Sequence, residues 1–136
     1  MTIALLSFLG VVAGAALQYI FTRHLDNQKH NRDLRTQAYT DYLKSVCEQA
    51  ILELNSFSSE ARELTSRMAN SKSRICLYGS EQVVSSLADF ERLGSKLNTD
   101  EQKECFATMV SAMRTDSKNS SIASIENLQV ILMGAQ

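Results

Sequence analysis

Apolar positions along this chain fall into two regimes. From Ile3 to Phe21 they form one run, IALLSFLGVVAGAALQYIF, without a charged side chain. About 19 residues of helix rise roughly 28 Å, close to the hydrocarbon thickness of a bilayer, so the run predicts a transmembrane helix over residues 1–22. A cleaved signal peptide would carry a basic segment before the run and a small-residue cleavage site after it. Here only Met1 and Thr2 precede it, and the first basic residue, Arg23, follows it. A buried core helix is the remaining alternative.

Beyond Phe21 the apolar residues thin out and recur at helical intervals. Residues 23–37 are almost wholly polar and predict a juxtamembrane stalk, either a solvated helix or a short break. From Leu43 a heptad runs through Cys47, Ala50, Leu54, Phe57, Ala61, Leu64 and Met68, widened at its start by Tyr39 and Tyr42. Steps alternating between four and three residues predict one unbroken amphipathic helix of about eight turns. Its small seam residues favour packing against later helices of the same chain over an isolated coiled coil.

The later elements are punctuated by cap signals. Gly79 is expected in the left-handed conformation at the end of the long helix, with Ser80 capping the next. That next helix carries Val83 or Val84, Leu87, Phe90 or Leu93, and Leu97, with a break near Gly94. Thr99 and Gln102 form a capping box opening a helix whose apolar side is Phe106, Met109, Val110 and Met113. After a polar loop at 118–121, Ile122, Ile125, Leu128 and Leu132 line a last short helix closed by Gly134. No alternating strand pattern occurs. The expected fold is therefore all-α: a membrane helix followed by a helical bundle over residues 38–136.

Charge refines this picture. The chain has 136 residues and a net charge of −1. Residues 22–35 carry Arg23, Lys29, Arg32 and Arg35 against Asp26 and Asp33, so the basic part lies next to the apolar run. Those four basic residues are expected to contact lipid headgroups. By the positive-inside tendency they place the N-terminus outside and the bundle in the cytoplasm, single-pass. With no further basic stripe, nucleic acid is not an expected partner.

On the predicted membrane helix, Ser7, Gly10, Gly14 and Gln18 share one face within roughly 80°. Small residues let helices approach closely, and Gln18 could hydrogen-bond across the contact, so these four are the expected packing face of a homo-oligomer.

Chemistry adds little. Cys47, Cys76 and Cys105 are isolated, with no CxxC or Cys/His spacing, and are expected to be reduced and mostly buried. His24 and His30 lie in the polar stalk, away from any nucleophile. No phosphate loop, HExxH or ligand-spaced carboxylate pair is present, so no catalytic residue, metal or cofactor is expected. Arg74 and Tyr78, in RICLYGS, are a candidate ligand pair, although turn chemistry explains that segment well enough without one.

An N-terminal anchor, a basic stalk, QAYTDYL in a long helix, then RICLYGSEQV and VSAMRTD together resemble small uncharacterised bacterial inner-membrane proteins. These are single-anchor accessory or effector subunits, some in phage-defence settings. The resemblance implies an inner-membrane location and a defence or regulatory role, and it carries no site residues. The expected function is a non-enzymatic membrane protein that self-associates and couples its bundle to a cytoplasmic partner. The alternative is a passive tether or regulatory subunit for a cytoplasmic enzyme or receptor.

Overall fold

A computed structural model describes residues 2–51, 58–118 and 124–134, with side chains from residue 10 onward and through 117 in the middle stretch. Among these residues the fold is all-α, in five helices: α1 (Thr2–Ile51), α2 (Ser59–Tyr78), α3 (Glu81–Arg92), α4 (Asp100–Lys118) and α5 (Ile125–Met133). The chain divides into two units, Met1–Asp33 and Leu34–Gln136.

In the first unit the polar stalk is helical and continues α1 without a break. Every residue from Gly10 to Asp33 is exposed. Among the described residues no helix is long and apolar enough to cross a membrane. The side chains that begin the Ile3–Phe21 run, Ser7 among them, lie outside the described residues.

The second unit is the bundle, and it takes in Leu34 and Arg35 as well as the predicted 38–136. α2 packs on α3, α3 on α4, and α4 on α5. Its core holds Tyr42, Val46, Ile75, Val83, Phe90, Phe106 and Met109, all nearly free of solvent. The Phe90 and Phe106 rings meet at 5.3 Å between centroids, tilted by 48°, within the range where aromatic pairs add to simple burial.

The eight-turn helix expected from the heptad is two helices. α1 is described to Ile51, and Ser58 adopts extended backbone and accepts a hydrogen bond from the Ala61 amide at 3.0 Å, capping α2. Serine side chains compete for backbone donors and start helices more readily than they continue them. Leu54 and Phe57 of the heptad lie outside the described residues. The buried face of α1 is also turned from the predicted seam. Ala38, Tyr39, Tyr42, Ser45 and Val46 are buried, Leu43 and Cys47 are half-buried, and Ala50 is exposed.

Caps elsewhere form largely as the sequence indicates. The Thr99–Gln102 box closes in both directions, at 3.2 Å from the Gln102 amide to Thr99 Oγ1 and 3.1 Å from the Thr99 amide to Gln102 Oε1. Ser80 caps α3 through the Val83 amide. Gly94 ends that helix at φ +90°, a conformation glycine adopts without steric cost.

Gly79 corrects a different expectation. Its φ is −72° and ψ 155°, extended rather than left-handed. Glycine is needed there for space: an added Cβ would lie 2.6 Å from the Ile75 carbonyl oxygen and 3.2 Å from the Tyr39 hydroxyl. Gly79→Ala is therefore expected to destabilise the bundle by about 1–3 kcal/mol through overpacking. A urea midpoint equal to wild type would refute that reading.

The last helix docks less completely than the pattern suggested. Leu128 is buried and Met133 packs against the core, but Ile125 and Leu132 remain exposed, as do Val130 and Ile131 on other faces. Ile122 lies outside the described residues.

Candidate functional site

Two tyrosines on consecutive turns of α1 organise the polar interior of the bundle. Tyr39 donates its hydroxyl to Asp116 Oδ2 at 2.6 Å, and Arg35 Nη1 donates to Asp116 Oδ1 at 3.0 Å. Tyr42 donates to Glu91 Oε1 at 2.8 Å, and Lys72 Nζ donates to Glu91 Oε2 at 2.8 Å. The Lys72 ammonium also stands 6.0 Å from the centre of the Tyr42 ring, within cation–π range. Each clasp is thus a carboxylate shared by a phenol and a cation. The first joins α1 to the last turn of α4, and the second joins α1 to α2 and α3.

These arrangements hold protons in place. Burial, then the hydrogen bond and charge of the facing carboxylate, push the Tyr39 and Tyr42 hydroxyls well above the ordinary phenol range. Partial burial opposes ionisation of Glu91. Hydrogen bonds from Lys72, Ser95 and Tyr42, with the Lys72 charge, outweigh it and hold the carboxyl below its usual range. The groups are locked in single protonation states around neutrality, which suits a structural clasp better than proton transfer.

The residues singled out from the sequence fare differently. Gly10 and Gly14 have open space where a Cβ would stand, and Gln18 is exposed with them. Arg23, Lys29 and Arg32 are exposed too. Arg35 is different: its guanidinium belongs to the Asp116 clasp, with its side chain 27% exposed. Arg74 and Tyr78 stand one turn apart on α2, and Tyr78 is exposed. Arg74 Nη1 donates to Asp41 Oδ2 at 2.7 Å, which ties α2 to α1.

Cys47 and Cys105 are half-buried and Cys76 is exposed, so the expectation of mostly buried thiols fails at Cys76. Burial pushes the Cys47 and Cys105 thiols up, and nearby Asp89, Glu101 and Glu104 add to this at Cys105. Both are thereby poor thiolates at neutral pH. Among the described residues no group of three His, Cys, Asp or Glu side chains is placed to hold a metal ion.

The bundle carries open grooves of mixed polar and apolar lining. One of about 360 Å³ between α1 and α2 includes Asp41 and Arg67, both already ion-paired, with Arg74 and Glu48. A larger one, about 660 Å³, lies along α3, α4 and the start of α5. The hydroxyls of Ser86, Thr108 and Thr115 in it turn back to carbonyls of their own helices.

No family model matches the chain, and neither a curated protein nor a solved structure is detectably similar to it.

Proposed function

We propose that this chain is a non-enzymatic, single-pass membrane protein that self-associates through its N-terminal helix and presents a helical bundle to a cytoplasmic partner. The observation that carries the reading is the exposure of the first unit. The large apolar side chains described there, from Val11 to Leu25, are half to seven-tenths exposed. Exposed apolar surface on this scale needs a cover. The uncharged run from Ile3 to Phe21 is the right length for lipid to supply it. For an upright helix, Arg23 lies about 3 Å past Phe21, within the headgroup layer, and Lys29 and Arg32 about 12 and 17 Å past it.

Lipid does not fill the notch at Gly10 and Gly14 as closely as a second helix would, which favours self-association along the Ser7, Gly10, Gly14 and Gln18 face. In this reading the N-terminus is outside and the bundle is on the cytoplasmic side of a bacterial inner membrane. The output is perturbation of that membrane on activation, as in an antiphage effector. The exposed Val130 and Ile131 on α5 favour a second reading, a passive tether whose bundle holds a cytoplasmic enzyme or receptor.

The test is the mass of the detergent-solubilised protein, wild type beside Gly10→Ile/Gly14→Ile. A defined oligomer that the double substitution dissociates supports assembly through the membrane helix. A monomer in both cases removes the self-association half of the proposal and leaves the tether. Full activity after replacing residues 3–21 with a foreign anchor would do the same.

A further inference from the structure

The two tyrosine clasps are unequal, and the difference falls at a telling place. In the second, Glu91 is bonded by Tyr42 and Lys72, and Lys72 also leans over the Tyr42 ring. In the first, Arg35 reaches Asp116 through a single nitrogen, and its Nε is buried without a partner among the described residues. Both cations reach their carboxylate through one nitrogen, but only the Arg35 contact strands a buried donor, which costs stability while the contact is closed. This weaker clasp begins two residues past the boundary between the units at Asp33 and Leu34.

We propose that the Arg35–Asp116–Tyr39 clasp is a release point built into the bundle, a device that opens locally while the Tyr42–Glu91–Lys72 clasp holds the remainder. Three elements meet at Tyr39. Its hydroxyl bonds Asp116 in the last turn of α4, and it sits against Gly79 and Ser80 in the turn between α2 and α3. Losing the Asp116 contact therefore frees the first bundle turn of α1, the end of α4 and the Gly79 turn together. It uncovers Ala38, Tyr39 and Ile75, which are buried in the closed form, beside Leu77, which is already 74% exposed. Arg35 makes the first inter-helix contact described along α1, so loss of this clasp turns a local opening within the bundle into an exposed apolar surface. Local opening of this kind is an ordinary low-energy excursion of folded chains.

Amide hydrogen exchange on the full chain in detergent micelles tests it, under conditions where exchange reports the opening equilibrium. Asp116→Asn is expected to speed exchange about tenfold in 34–41, 77–80 and 113–118, the effect of losing one charge-assisted hydrogen bond. Amides of 83–92 and 104–110 should stay close to wild type. Tyr39→Phe, which keeps the ring, should give a smaller rise in the same three segments. Glu91→Gln should raise exchange throughout the bundle. Uniform acceleration or global unfolding in Asp116→Asn would overturn the proposal, as would unchanged exchange in both first-clasp variants.

Discussion

Raising the pH from 10 to about 11.5 is expected to remove about 3 kcal/mol from the stability of the bundle, through Tyr39 and Tyr42 alone. Both phenols are buried and donate to carboxylates, and both are held well above the ordinary phenol range, first by burial and then by those carboxylates. The unfolded chain releases the two protons near pH 10, whereas the folded chain keeps them. Above pH 10 the unfolded state thus binds fewer protons, and stability falls with a slope of up to about 1.4 kcal/mol per pH unit for each tyrosine. Below pH 10 the contribution is fully present. Urea midpoints followed by circular dichroism across this range, together with tyrosinate absorbance, read the effect. The Tyr39→Phe/Tyr42→Phe variant should be less stable than wild type at neutral pH yet shallower in its decline through the alkaline range. A wild-type midpoint that holds to pH 11.5 would count against both clasps.

These clasps mark the limit of what the sequence displays. Tyr39 and Tyr42 are visible on the apolar stripe of α1, and buried phenols need acceptors. That signal calls for two partners without saying which. Asp116 lies 77 residues away and Glu91 lies 49 away, among other acids on amphipathic helices, and a single sequence carries no trace of such pairings. Local features were better exposed. The Thr99–Gln102 box, the Ser80 cap and the Val83, Leu87 and Phe90 stripe all follow from spacing within one or two turns. The interruption of the heptad was masked because its apolar positions continue in phase past Ser58, while the cap chemistry acts on the backbone. Gly79 differs for a related reason: a glycine after a helix signals a left-handed cap, and only the approach of Tyr39 and the Ile75 carbonyl shows that it is required for room. Arg35 looked like its basic neighbours because its difference, a carboxylate 81 residues on, is long-range.

Phe90→Ala is expected to cost about 3–5 kcal/mol, the range for emptying an aromatic site in a core. Phe90 has no exposed surface and lies against the Phe106 ring, so truncation leaves a cavity between α3 and α4 and removes the aromatic pair. Against a total stability of roughly 5–15 kcal/mol for a domain, this removes about a fifth or more of it. The substitution also separates the two units. The second depends on apolar burial, so its melting temperature should drop steeply. The first, residues 2–33, has no buried residue among those whose side chains are described. Under the membrane reading its helix is held by its own backbone bonds in a medium that offers no others. In micelles, Phe90→Ala should therefore melt the bundle early and leave a residual helical signal at the wild-type level. Loss of all helicity in one transition would mean that the N-terminal helix draws its stability from the bundle, and would argue against lipid as its cover. A melting temperature within a few degrees of wild type would mean instead that α3 and α4 do not meet at Phe90 as described.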